Sequence, residues 1–247
     1  MRALLPEPIS EITNEQLLER YGSNQRPFVR FNFVSSIDGS AQVDGRSAGL
    51  GSQADQRIFA LLRRLADVIV VGAGTVRAEG YEGSLVSDED REWRTSHGLR
   101  AHPALAVISA GLHLEPSDEI FTQSPVPVNV FTSVELTDEL IRSYGENVRL
   151  VQVEKRDGGC DPAQIVAYLD EQALSFIHCE GGPRIFGQFA SAGAVDSTCV
   201  SYSPVLVAGE GKRISEHEKE TLQQFSLHSL FEDDDMLFCD YRINKSA

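Results

Sequence analysis

No stretch of this chain approaches the roughly 20 consecutive apolar residues that a membrane-spanning helix needs, so none is expected to cross a bilayer. The opening residues Met1-Arg2-Ala3-Leu4-Leu5-Pro6 lack the apolar core and small-residue cleavage site of a secretory leader, and a cytoplasmic location is the expectation. Cysteine is scarce. Cys160, Cys179, Cys199 and Cys239 include no CxxC pair, and Cys179 and Cys199 sit in apolar runs suited to inert buried thiols. The six histidines form no HExxH, and His97 and His102 lack partner ligands at metal spacing, so no metal is expected. Positive charge is also short, with 22 basic against 37 acidic residues and a net charge of −15. Nucleic acids and anionic membranes both require a cationic surface, so neither is an expected partner. Four of the 22 cations are lysine and the rest arginine, the better bidentate ligand for phosphate.

What remains is a chain long enough for a large core: 247 residues, 41% hydrophobic. It shows no repeat, low-complexity tract or linker, and reads as one domain over residues 1–247, with a lead-in over 1–27. That lead-in holds a short amphipathic helix over 14–20. Residues 28–34 alternate and are rich in β-formers, predicting a strand that ends in the turn Ser35-Ser36-Ile37-Asp38-Gly39. Ser52 and Asp55 have capping-box spacing, and Ile58, Leu61, Leu62 and Leu65 then form one apolar helical face ending near Ala66. The run Asp67-Val68-Ile69-Val70-Val71 is that of a strand buried on both faces.

The alternation continues. Strands are predicted over 105–109, 128–132, 148–153, 175–179 and 197–203, and helices over 138–144, 162–172 and 183–190. The tail 225–241 reads as an antiparallel pair around the acidic turn 232–235. Helix alternating with buried strand means an α/β protein. Residues 83–102, long, polar and carrying the one Trp, read as a loop, either a lid or a mobile insertion.

Two junctions bring glycine to the end of a strand. In Val71-Gly72-Ala73-Gly74-Thr75, a buried strand delivers Gly72 and Gly74 to the edge where open α/β sheets bind ligands, and Thr75 adds a hydroxyl. In Cys179-Glu180-Gly181-Gly182-Pro183, two glycines precede a proline suited to the first turn of a helix, whose free N–H groups suit a diphosphate. Both also read as ordinary tight turns. Glu180 is either a crevice carboxylate or a capping acid. Asp38 is either a turn former or a pocket carboxylate, and the two acids are the candidate catalytic groups. Arg57, Arg63 and Arg64 lie off the apolar face of their helix, where solvation is the ordinary role. Gly45-Arg46-Ser47-Ala48-Gly49 matches the GxSxG nucleophile elbow, but no buried strand leads into it, so a serine hydrolase using Ser47 is the weaker alternative.

Taken jointly, Ser35-Ser36-Ile37-Asp38-Gly39, Gly45-x-Ser47, Arg57 to Arg63, Gly72-x-Gly74-Thr75 and Glu180-Gly181-Gly182 resemble one family. It is the reductase domain of the bacterial riboflavin-biosynthesis protein RibD, and the resemblance spans about residues 28–211. It implies a dihydrofolate reductase-like, three-layer α/β/α fold with a mixed, mostly parallel sheet and an antiparallel C-terminal hairpin. It also implies an NADPH-dependent reductase that opens and reduces the ribosyl chain of 5-amino-6-(5-phosphoribosylamino)uracil, or acts on a related pterin or folate. A protein that binds NADPH without turnover is the other alternative.

By position, Ser47 and Arg63 would hold the phosphorylated sugar and Glu180 the pyrimidine. Ser35, Gly49, Gly72, Gly74, Thr75, Glu79, Ser109, Gly181, Gly182, Pro183, Arg184 and Ile185 would hold NADPH. A homodimer is implied as well. The chain departs from the family where Glu79 replaces an Asp and Tyr81 a Pro around Gly80, and no second phosphate arginine stands near 83–86. The zinc deaminase signatures HxE and PCxxC that RibD carries upstream are missing, so a free-standing reductase is expected. No basic residue is assignable to the 2′-phosphate of NADPH.

Overall fold

A computed structural model, describing residues 1–244, realises the expected alternation, with most ends moved by one or two residues. β1 (Arg2–Leu5), α1 (Asn14–Tyr21), β2 (Phe28–Ser36), α2 (Gln53–Leu65), β3 (Val68–Gly72) and α3 (Ala73–Glu79) open the chain. There follow α4 (Asp88–Ser96), β4 (Ala104–Ile108), α5 (Glu119–Thr122), β5 (Val128–Thr132), α6 (Asp138–Ser143) and β6 (Val148–Gln152). A short ribbon of β7 (Lys155–Arg156) and β8 (Gly159–Cys160) leads to α7 (Pro162–Glu171), β9 (Phe176–Cys179) and α8 (Pro183–Ser191). β10 (Ser197–Ser203), β11 (Phe225–Asp233) and β12 (Met236–Ile243) close it.

Among the described residues, ten strands form one sheet in the order β1-β11-β12-β10-β2-β9-β3-β4-β5-β6. The seven from β10 to β6 are mutually parallel. β12, β11 and β1 add antiparallel at one edge, and the acidic turn places Asp234 and Asp235 at positive φ between β11 and β12.

Register decides which face each side chain enters. Val29, Ile177 and Val68 lie abreast on β2, β9 and β3, and this face packs against Ile165 and Leu169 of α7 and Phe186 and Phe189 of α8. Arg30, His178 and Ile69 occupy the next row and point to the opposite face. There Ile69 and Val71 join one cluster, while Leu17, Leu18, Ile58, Leu61 and Leu62 bring α1 and α2 onto the other. Helices therefore cover both faces, giving three layers. Each fully buried Leu, Ile or Phe contributes about 1.5–3 kcal/mol, which is why the unbroken apolar run of β3 sits at the centre.

Two expectations change. Residues 1–27 are more than a lead-in, since β1 pairs with β11 and α1 buries Leu17, Leu18 and Tyr21. Residues 83–102 are not a loop: α4 occupies the middle, started by a reciprocal capping box between Ser87 and Asp90. Its buried side chains are the charged Asp90 and Arg94, so no apolar period announces the helix.

The topology sets the site. The chain passes from β2 to β3 while leaving a slot between them, and β9 returns later to fill it. The C-terminal ends of β2, β9, β3 and β4 thus lie side by side, at the kind of crevice where open α/β sheets bind ligands.

Candidate active site

A cleft of about 630 Å³ opens over these strand ends. Gly72, Gly74, Thr75 and Glu79 line one side, as β3 runs into α3. Gly182, Pro183, Arg184 and Ile185 line the other, where α8 begins. Ser47, Ser109 and Glu180 complete the expected residues that reach it.

The two glycine junctions are built against each other. The Gly72 amide donates to the Gly181 carbonyl at 2.9 Å, and the Glu180 amide to the Val70 carbonyl at 2.9 Å. Gly181 has φ +108, a conformation that strains any residue with a Cβ. A Cβ on Gly182 would lie 2.9 Å from the Thr75 hydroxyl oxygen, so a side chain there would crowd the place where the two strand ends meet. Pro183 begins α8, and the Arg184 and Ile185 amides have no carbonyl one turn back to bond. Backbone N–H groups beside Gly182, which itself carries no side chain, form a cradle of the kind that accepts a diphosphate.

Glu180 follows β9 on the face covered by α2, and its side chain is almost wholly buried. Arg63 clamps it with both arms, Nε to Oε1 at 2.6 Å and Nη2 to Oε2 at 2.8 Å. The Tyr81 hydroxyl donates to Oε2 at 2.7 Å. Burial alone would raise the Glu180 carboxyl; the Arg63 charge and hydrogen bonds, helped by His178 and the Tyr81 hydroxyl, outweigh it and hold the carboxyl below its ordinary value. His178 lies beneath, its Nε2 3.6 Å from Oε1, and burial lowers its pKa to about 4, leaving it neutral at pH 7. Arg63 also donates from Nη1 to the Leu85 carbonyl at 3.0 Å. It does not line the cleft.

Asp38 requires correction as a pocket carboxylate. It lies outside the cleft and accepts from the Ser36 hydroxyl at 2.6 Å and from the Val207 and Ala208 amides at 3.2 and 2.7 Å. These bonds, Ser36 first, lower its pKa to about 2. Asp38 pins a strap, residues 204–224, that continues past the cleft: Ala41 donates to the Lys212 carbonyl and Glu216 to the Pro183 carbonyl.

Ser35, Gly49 and Gly181 do not line the cleft either. Ser35 spends its hydroxyl on the Ser36 carbonyl, Gly49 packs beside Val43, and Gly181 shapes the bend from behind against Phe33. Ser109 lines the far end and accepts the His113 amide at 2.9 Å. Ser47 follows a turn closed by mutual Val43–Arg46 backbone bonds, and its amide donates to Glu79 Oε1 at 2.9 Å. No strand feeds it, so the nucleophile elbow is not present. Sequence reasoning missed Tyr81 and Lys212 as site residues; a lone aromatic among the glycines and acids of 79–83 was the one available signal for the first.

Comparison with known proteins places the chain in a family. Over 187 residues the chain is 26% identical to the 2,5-diamino-6-ribosylamino-4(3H)-pyrimidinone 5′-phosphate reductase of Archaeoglobus fulgidus, covering 74% of this chain and 83% of that one. It is 23% identical to the riboflavin biosynthesis protein RibD of Aquifex aeolicus over 198 residues, 79% of this chain but 51% of that protein, so it spans about half of that relative. The crystal structure of a pyrimidine reductase-like protein from Corynebacterium diphtheriae superposes with a TM-score of 0.79 at 24% identity, covering 95% of this chain and all of that one. The family model of the RibD C-terminal domain matches residues 27–236, and the chain belongs to that family.

Proposed function

We propose that the protein is an NADPH-dependent reductase of the riboflavin pathway that acts on a phosphorylated ribosylaminopyrimidine. The observation that carries this is the pairing, within one cleft, of a side-chain-free cradle at Gly182 with the buried, ionised Glu180. The names of the Archaeoglobus and Aquifex relatives support the substrate class.

The residues fit a dinucleotide. Gly72, Gly74, Thr75 and the start of α8 would hold its diphosphate, and Ser109 stands at the β4 end, two strands from β9 or about 10 Å away. NADPH would supply the hydride. The protein's own work is alignment: Glu180 accepts N–H donors from the heterocycle, and the strand ends fix the distance between the two ligands. Placing a bound heterocycle over Glu180 and away from bulk water strengthens that hydrogen bond.

NADPH should bind with saturable quenching of its fluorescence and be oxidised on addition of the ribosylaminopyrimidine 5′-phosphate but not of dihydrofolate. Binding without oxidation would leave a nucleotide-binding protein, and no binding near a millimolar would defeat the proposal.

A further inference from the structure

Spacing in the sequence assigns no basic residue to the 2′-phosphate that separates NADPH from NADH, but folding brings Arg77 to the cleft. Arg77 leaves α3 about one turn after its start and is exposed. Its Nη1 donates to the His113 carbonyl at 2.8 Å, and among the described residues no bond engages the other four of its five N–H groups. No carboxylate among the described residues pairs with it. The acids that line the cleft have other partners: Glu79 accepts the Ser47 amide, Glu180 holds Arg63, and Glu216 lies 3.9 Å from Arg184.

The turn that receives Arg77 follows β4. Within it Leu112 donates to the Ser109 carbonyl and His113 to the Ser109 hydroxyl oxygen, each at 2.9 Å. Ser109 is 4% exposed yet lines the cleft, and its own O–H has no acceptor among the described residues. The exposed His113 ring lies over Gly111, where a Cβ would come within 2.4 Å of Nε2, and it too lines the cleft. The diphosphate cradle stands over β9 at the start of α8, two strands or about 10 Å from this turn. Gly74, Ala110 and Gly111 line that side with little or no side chain, leaving room for a ribose and a base. Over β2, on the other side, the strap crosses, with the Ala41 amide on the Lys212 carbonyl. An adenosine anchored at the cradle therefore extends toward β4 and Arg77.

We propose that Arg77 and the Ser109 hydroxyl, flanked by the His113 ring, bind the 2′-phosphate of NADPH and set a preference for NADPH over NADH. The inference rests on the reductase reading and adds to it the groups that select the nucleotide. A guanidinium with four uncommitted N–H groups suits a phosphate dianion. Sites that select NADH instead turn a carboxylate onto the ribose 2′-hydroxyl, and no acid is found among Arg77, Ser109, Gly111 and His113.

The test titrates NADPH and NADH by nicotinamide fluorescence into the wild type, Arg77→Gln and Ser109→Ala, and displaces NADPH with adenosine 2′,5′-bisphosphate or adenosine 5′-phosphate. Wild-type protein should bind NADPH on the order of a hundredfold tighter than NADH, and the bisphosphate should displace it at about a tenth of the concentration that the monophosphate needs. Arg77→Gln should weaken NADPH about thirtyfold and Ser109→Ala about fivefold, with NADH changed less than twofold in each. Unchanged NADH binding is also the control that the variant has folded. Equal affinity of the wild type for the two nucleotides overturns the inference while the reductase reading stands. So does a loss in Arg77→Gln that is the same for both, since Arg77 would then only buttress the turn through the His113 carbonyl. Wild-type protein that binds neither nucleotide near a millimolar defeats the reductase reading, and the inference with it.

Discussion

Asp38 and Glu180 both follow a strand and precede glycine, and both read as acids of a pocket. Their surroundings separate them. Glu180 is buried against Arg63 and Tyr81 at the cleft floor, whereas Asp38 is exposed and spends its oxygens on the strap amides. Each carboxyl is held below its ordinary pKa, but by different means: a compensating cation that overcomes burial in one, local N–H and O–H donors in the other. A lowered carboxyl pKa therefore does not mark an active site by itself; what distinguishes the two is access to a shared cavity.

The largest effect should come from Glu180→Ala. It leaves Arg63 buried without its partner and should cost about 3–5 kcal/mol in denaturant unfolding, with turnover lost. A variant as stable and as active as wild type would erase the contrast between the two acids. Next is Gly182→Ala, whose new methyl meets the Thr75 hydroxyl; a loss of about 1–3 kcal/mol and weakened NADPH binding are expected. Adding Thr75→Ala should recover part of that stability, and a purely additive double variant would mean that the contact is not the cause.

Glu79→Ala should be milder. It releases the Ser47 amide and should loosen residues 43–49 for about 1 kcal/mol, read as faster amide exchange there. Asp38→Asn should be smallest in turnover, within about threefold of wild type, because the group lies outside the cleft. Its signature is pH. With a folded pKa of about 2 against an ordinary 3.8, the contribution of Asp38 is complete above pH 4 and fades as pH falls from there through 2. Protection of the Val207 and Ala208 amides, taken relative to their intrinsic exchange rates, should fall across that window in the wild type and show no such step in Asp38→Asn.

Much of this was legible in the chain. The continuous apolar run of β3 gave a strand because burial on two faces leaves that imprint directly, and β2 still alternates although both its faces are covered, because Arg30 is buried on one of them. The glycine junctions announced close backbone approach, and Gly182 against Thr75 is such an approach. The Arg63–Glu180 pair was not legible, because its members lie 117 residues apart and meet only once β9 has filled its slot. α4 escaped because its buried contacts are made by charges, and Asp38 misled because its partners come from a strap about 170 positions away, as the Ala208 bond shows.

Arg94 extends this to a segment that composition alone would mark as expendable. Its Nη1 meets the carbonyls of Arg63, Arg64 and Ala66 at 3.3, 2.8 and 2.7 Å, where the negative end of the α2 dipole lies. Burial lowers its pKa to about 10, so it keeps its proton at neutral pH. α4 thus works as a rivet through the tail of the helix that aims Arg63. Transplanting residues 87–100 from a cousin without a matching cation would slacken that helix from behind, and the misalignment would surface at the cleft floor around Glu180.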